Sequence, residues 1–246
     1  MRVSQQPAYV LHHYSYGETS LLLEVFTRDH GRLGLLAKGA RRMRLRQRPL
    51  LEPFQLLLIG WVGRGELPVL SAVEADGDAA LLSGTTLYCG FYINELLLRL
   101  LHRHDPHERL FGAYRSSLLA LRREESVEAT LRVFEKRLLQ EVGYGLVLEN
   151  DMTDNAPIDP EAVYEYVINR GPVRLADRSR SSKAQAVTIR GMSLLALARE
   201  VLTDPVTLQE TKALTRAALG HHLAGKPLNT RKLFRDLKHA PVSGSD

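Results

Sequence analysis

The sequence predicts an α+β protein. A five-stranded barrel of the OB type is expected over residues 1–80, followed by a mostly helical domain over 81–246 with an irregular, zinc-free insertion at about 145–192. Three observations predict this. Short apolar runs separated by Gly and Pro crowd the first 80 residues. From Thr85 the apolar spacing becomes helical. Between 145 and 192 that spacing is broken by Pro157, Pro160 and Pro172.

The strands follow in order. Ala8 to Tyr14 alternates in part, and Ser20 to Thr27 puts Leu21, Leu23 and Val25 on one face. Leu33 to Ala37 is short and apolar. Phe54 to Val62 is longer, and Leu67 to Val73 follows the turn Gly63-Arg64-Gly65. Five strands in so short a span favour a closed barrel, because closure removes exposed sheet edges. An SH3-like barrel would leave much the same trace.

The helices follow. Thr85 to Arg103 repeats Leu87, Phe91, Leu96 or Leu97, Leu100 and Leu101 at helical spacing, with Ser83 and Thr85 as candidate N-caps. Asp105-Pro106 interrupts. His107 to Arg122 and Ser126 to Gly143 continue the pattern, and the three helices are expected to form a bundle. The insertion holds two candidate strands, Val163 to Ile168 and Ala186 to Ile189. Helices then resume over Ser193 to Leu202, Thr207 to Ala224 and Thr230 to Lys238, separated by Asp204-Pro205 and Gly225-Lys226-Pro227.

With 246 residues the chain is long enough to bury a substantial core. Its net charge of +5 leans towards a polyanionic partner. The charge lies in blocks: residues 143–161 hold five carboxylates and no Lys or Arg, while 170–190 hold six basic residues against Asp177 alone. Cys89 is the only cysteine, which excludes an internal disulfide and a cysteine zinc site. The N-terminus lacks the apolar core of a secretory signal, and no run reaches the ~18 apolar residues of a membrane span. A cytoplasmic protein without a membrane partner is expected.

Catalytic motifs are weak. Gly34 to Lys38 lacks the spacing and the Ser or Thr of a phosphate loop, and no G-x-G-x-x-G opens a helix. His102, His104 and His107 do not share one helical face. The acidic loop with Asp151, Asp154 and Asp159 is the best metal candidate, but Ala156 stands where a calcium-binding EF loop needs glycine. The expectation is therefore no enzyme and no cofactor, with a metal-dependent nuclease acting through Asp151 and Asp154 as the competing class.

The strongest binding signal is Phe26 to Arg48. The turn Asp29-His30-Gly31 leads into Leu33 to Ala37, and the chain then runs into Lys38, Arg41, Arg42, Arg44, Arg46 and Arg48. No carboxylate occurs between Asp29 and Glu52. Cations on such a loop attract phosphates and release their condensed counterions. A second basic run is Lys226, Arg231, Lys232 and Arg235. Tyr14, Tyr16 and Trp61 are candidates for base stacking, Trp61 being the better fit to an interior place.

The assembled pattern resembles the RecO family of bacterial recombination mediators. The segments that carry it are YSYGETSLLLEVFT (14–27), GRLGLLAKGARR (31–42), LLEPFQLLL (50–58), GRGEL (63–67), LYCGFYINELLLRLL (87–101), LRVFEKRLLQEVGYG (131–145) and GKPLNTRKLFRDL (225–237). The resemblance implies ATP-independent binding of single- and double-stranded DNA and annealing of complementary strands. It also implies contact with the C-terminal tail of the single-stranded DNA-binding protein SSB, and cooperation with RecR in loading RecA. The four-cysteine zinc module of some family members has no counterpart in residues 147–190. A generic basic OB-fold DNA-binding module is the plainer alternative.

An SSB tail presents acidic and apolar residues, and its receptor needs an apolar groove edged by cations. The segment from Leu131 to Gly143 offers Arg132, Lys136 and Arg137 beside Phe134. By resemblance Arg132, in LRVFE, is the leading position.

Overall fold

The computed structural model describes residues 1–40, 48–65, 67–77, 80–175 and 186–230. Five strands, β1 (Arg2–Tyr16), β2 (Ser20–Thr27), β3 (Gly31–Ala37), β4 (Leu57–Val62) and β5 (Val69–Ala75), close a barrel in the order β1-β2-β3-β5-β4. β4 returns to pair with β1, and β5 lies parallel to β3 at Leu36 and Val69. A meander would keep β4 beside β3, so this order is that of the OB barrel and removes the SH3-like alternative.

β1 is longer than its apolar pattern suggests because one strand serves two partners. Residues 2–8 pair with β4 and residues 8–16 with β2. The register shifts between Val10 and His12, so the strand carries a bulge there. Before it, Ala8 and Val10 point into the core with Leu23, Val25, Leu33, Leu35, Ile59 and Trp61. After it the alternation inverts. His12 pairs with Glu24 and Tyr14 with Leu22, on the outer side of β2, while Ser15 faces Leu21 of the core.

The β2–β3 turn depends on Thr27 and Gly31. Thr27 Oγ1 accepts the His30 N–H at 3.1 Å and donates to the Gly31 carbonyl at 2.8 Å. Gly31 has φ +66°, and a Cβ there would collide with the Asp105 backbone.

Two helices cover part of the barrel exterior: α1 (Gly84–Leu100) and α2 (Glu108–Arg122). Thr86 Oγ1 fixes the start of α1, accepting from Ser83 N–H and donating to the Ser83 carbonyl. Tyr9 of β1 and Phe26 of β2 pack on Phe111 and Tyr114 of α2, with ring centroids 4.9–6.3 Å apart. Burial pushes the Tyr9 phenol up to about 12. Asn94 ties the layers together. Its Nδ2 donates to the Leu11 carbonyl at 2.9 Å, and its Oδ1 accepts from Tyr114 OH at 2.7 Å. Glu24 of β2 is buried and binds Arg32 at 3.0 Å and Arg103.

The chain forms two compact units, Met1–Glu124 with Leu228 onward, and Glu125–Pro227. α1 and α2 therefore belong with the barrel, and the expected three-helix bundle does not form. Its third member, α3 (Val127–Glu141), sits in the second unit with α4 (Gly191–Arg199), α5 (Pro205–His222) and a three-stranded sheet. The sheet order is β7-β6-β8, from β6 (Val163–Val167), β7 (Gly171–Arg174) and β8 (Ala186–Arg190).

Among the described residues the insertion thus contains a three-stranded sheet, and Tyr164, Tyr166 and Ile189 share a core with Leu194, Leu197 and Leu214. β7 escaped the sequence reading because it is four residues long and contains Pro172. Proline is tolerated there because β7 is an edge strand. α5 starts at Pro205, with Asp204 accepting the N–H groups of Val206 and Thr207. Among the described residues no helix is long and apolar enough to cross a membrane.

Replacing Asn94 by Ala removes two buried hydrogen bonds, the one given to the Leu11 carbonyl and the one accepted from the Tyr114 hydroxyl. A loss of about 2–4 kcal/mol in urea-unfolding free energy is expected; a loss below about 0.5 kcal/mol would mean that Asn94 does not join the layers.

Candidate functional site

The outer face of β2 and β3 is the first candidate surface. Beyond the bulge, Tyr14 and Tyr16 are 50% and 51% exposed. Tyr14 lies across from Leu22, which pairs with Leu36, both half-buried and outward. Tyr16 lies across from Ser20, the end of β2 nearest Lys38. Lys38 is exposed and directly follows β3. The β4–β5 loop reaches the same place: Pro68 accepts the Leu36 N–H at 2.9 Å, and Arg64 in that loop is exposed. Aromatic rings, half-exposed leucines and cations therefore share one end of the barrel face. OB-folds commonly bind oligonucleotides through this face and these loops.

Of the basic loop, Arg41, Arg42, Arg44 and Arg46 lie outside the described residues. Arg48 opens a single 3-10 turn, Arg48–Leu51. Trp61 is only 4% exposed and belongs to the barrel core, which leaves Tyr14 and Tyr16 as the exposed members of the three aromatic candidates.

In the second basic run Lys226 is exposed, and Arg231, Lys232 and Arg235 lie outside the described residues. The segment just before them is anchored by a residue that sequence reasoning missed. The Glu95 carboxylate of α1 accepts the N–H of Asn229 at 2.8 Å, and the N–H and hydroxyl of Thr230 at 2.9 and 2.7 Å. It also binds Arg99. Glu95 thus caps the backbone where Thr230 alone was expected to do so. The signal was Glu95 itself, a carboxylate inside an apolar helix.

In the second unit the predicted residues of α3 divide into two pairs. Phe134 is fully buried and Arg132 is 3% exposed. Arg132 Nη2 binds Glu135 at 2.7 Å, while its Nε and Nη1 find no hydrogen-bond partner among the described residues. Lys136 and Arg137 lie nearer the surface, and both hold Glu200. Lys136 Nζ stands 3.1 Å and Arg137 Nε 3.0 Å from its Oε1, and Arg137 Nη2 reaches Oε2. Burial alone would raise the Glu200 carboxyl, but the bonds from Arg137 and Lys136 outweigh it and hold the group below its ordinary value.

The acidic loop is organised around its own backbone. Asp151 accepts the N–H of Thr153 and of Arg174, Asp154 that of Ala156, and Asp159 that of Glu161 and the Arg174 guanidinium. Among the described residues no three His, Cys, Asp or Glu side chains converge as metal ligands. For Asp151, burial acts upward, and the hydrogen bonds from Thr153 and Arg174 win and lower it.

An OB barrel with exposed aromatic rings and cations at one end is an architecture common among nucleic-acid-binding proteins. The family comparison is specific: residues 1–76 match the recombination protein O N-terminal model, and residues 81–232 the C-terminal model. The chain is 48% identical over 240 residues to the DNA repair protein RecO of Dechloromonas aromatica, covering 96% of this chain and 97% of that one. It is 47% identical to that of Nitrosococcus oceani (97% and 95%) and 48% identical to that of Alkalilimnicola ehrlichii (98% and 94%). The chain belongs to the RecO family.

Glu95, Asp151 and Glu200 are all depressed below their ordinary 4.5, 3.8 and 4.5. At Glu95 burial is again the largest influence and acts upward, overcome by Thr230, Asn229 and Arg99. A lowered carboxyl stabilises the fold fully above the unfolded-state value, and that contribution is lost as pH falls through the folded one. The urea midpoint is therefore expected to hold from pH 7 to 5 and to drop below pH 4.5. A midpoint unchanged down to pH 3 would contradict these pairings.

Proposed function

We propose that this protein is a non-catalytic recombination mediator in DNA repair. It binds single- and double-stranded DNA, anneals complementary strands coated with SSB without ATP, and with RecR helps load RecA. The observation that carries the reading is the barrel face of Tyr14, Tyr16 and Lys38, within a chain that matches the RecO family along nearly its whole length.

Annealing needs no covalent chemistry. Two strands repel through their phosphates, and a cationic surface that neutralises both lowers that barrier. Lys38, with Arg41, Arg42, Arg44, Arg46 and Arg48 close by in sequence, supplies positive charge for that contact, and the second basic run, Lys226, Arg231, Lys232 and Arg235, supplies more. Tyr14 and Tyr16 add stacking, which every base accepts, so binding is independent of sequence.

The SSB tail is assigned to α3, through Arg132, Phe134, Lys136 and Arg137. Lys136 and Arg137 already hold one carboxylate near the surface. The buried Arg132 keeps two donors without a hydrogen-bond partner among the described residues, and a carboxylate that reached them would satisfy them.

The two kinds of contact separate in one experiment. Y14A with Y16A is expected to weaken single-strand binding at every salt concentration, by about 1–3 kcal/mol per stacked base, and to leave the salt slope alone. K38A is expected to lower the slope of log K against log salt by about 0.7. Titration of a labelled oligonucleotide over several salt concentrations checks both; wild-type affinity in the tyrosine variant removes the strand face. Arg132→Ala is expected to abolish binding of a tail peptide, and full retained affinity removes that assignment.

A further inference from the structure

Glu200 occupies an unusual place. It is the C-cap of α4, with φ 61° and ψ 30°, in the left-handed region. Helices commonly end there with glycine or asparagine, because a Cβ is disfavoured. The return for this strain is in what the side chain reaches. Its two oxygens take Lys136 Nζ, Arg137 Nε and Arg137 Nη2, and Lys136 Nζ is fixed further by the Ala198 carbonyl at 2.8 Å.

The cluster is accessible: the side chains of Lys136, Arg137 and Glu200 are 15%, 41% and 23% exposed. Beside it opens a cavity of about 450 Å³ whose lining includes Lys136, Gln140, Leu146, Leu148, Glu149 and Ala198. That volume lies within the range of small-ligand pockets. Leu146, Leu148 and Ala198 give it apolar wall, and Lys136 puts a cation on its rim. Glu149 repels carboxylates from its own part of the wall, so an anionic group is directed towards Lys136.

We propose that Glu200 is a built-in competitor: its carboxylate holds on Lys136 and Arg137 the place taken by a carboxylate of an acidic peptide whose apolar residue enters the cavity. This rests on the assignment of α3 as a peptide contact and adds how that contact discriminates. A tethered carboxylate competes at the high effective concentration of an intramolecular group. A purely acidic segment gains only the ion pairs that Glu200 already makes, so it displaces nothing. A segment that also fills the cavity gains apolar burial, and the exchange becomes favourable. The device selects for acidic and apolar character together.

The test is fluorescence anisotropy on the full-length protein, with a labelled synthetic peptide of several aspartates ending in phenylalanine with a free carboxylate. Wild type is compared with Glu200→Gln and Glu200→Gly; the glycine variant suits the left-handed cap and keeps the helix end. Both variants are expected to bind roughly 3- to 10-fold tighter. Adding Lys136→Ala is expected to cancel the gain, and an all-aspartate peptide is expected to stay weak on wild type. If wild type binds and neither variant binds tighter, Glu200 is no competitor, although the peptide contact stands. If no protein binds the peptide, both readings fall. If only the variants bind, the competitor is confirmed in its strongest form. Thermal melts of each variant establish that it is folded, and the glycine variant decides the matter if the glutamine variant is not.

Discussion

The single extra residue between Val10 and His12 organises the barrel unit. β1 must close the barrel against β4, feed the interior with Ala8 and Val10, and present Tyr9 to α2. With unbroken alternation Tyr14 and Tyr16 would point into the interior behind Val10. The bulge inverts the strand and turns both rings outward. It also sits where the Leu11 carbonyl meets Asn94, so the same irregularity that exposes the tyrosines offers α1 its hydrogen bond. Strand closure, helix attachment and the outward aromatic face thus share one backbone feature.

The two units handle charge differently. In the first, the buried Glu24 is neutralised by Arg32 and Arg103, which leaves Lys38 and the arginines after it without carboxylates nearby in sequence. Such a surface attracts polyanions over a distance set by salt. In the second, the α3 cations nearer the surface, Lys136 and Arg137, are engaged by Glu200, while the buried Arg132 meets Glu135 through one nitrogen. A surface whose cations are already occupied is a poor general trap for phosphates and a better discriminator among carboxylates. That contrast supports assigning nucleic acid to the barrel and a peptide to α3.

Much of this was legible in the sequence. The five strands, the switch to helices near Thr85 and the two basic runs follow from period, turn residues and charge. The long β1 was not legible, because its first residues are polar and its pairing changes partner at Ala8. In 145–192 the sequence shows only two of the three strands, because β7 is short and carries Pro172. The grouping of α1 and α2 with the barrel depends on the buried contacts of Tyr9, Phe26 and Asn94, which periodicity does not contain. For the candidate site, Tyr14, Tyr16 and Lys38 were nameable from their types. Glu95 and Glu200 were not, since each acts on residues more than 60 positions away in the chain.

The central claim is that a strand-holding face and a peptide-holding helix serve one task, annealing strands that arrive coated with SSB. Its most direct test follows annealing of two labelled complementary strands without nucleotide, coated either with intact SSB or with SSB lacking its C-terminal tail. The account predicts acceleration that needs the tail and weakens as salt rises. Acceleration that is indifferent to the tail would leave a basic annealing protein without a partner contact, and no acceleration with either SSB would contradict the account as a whole.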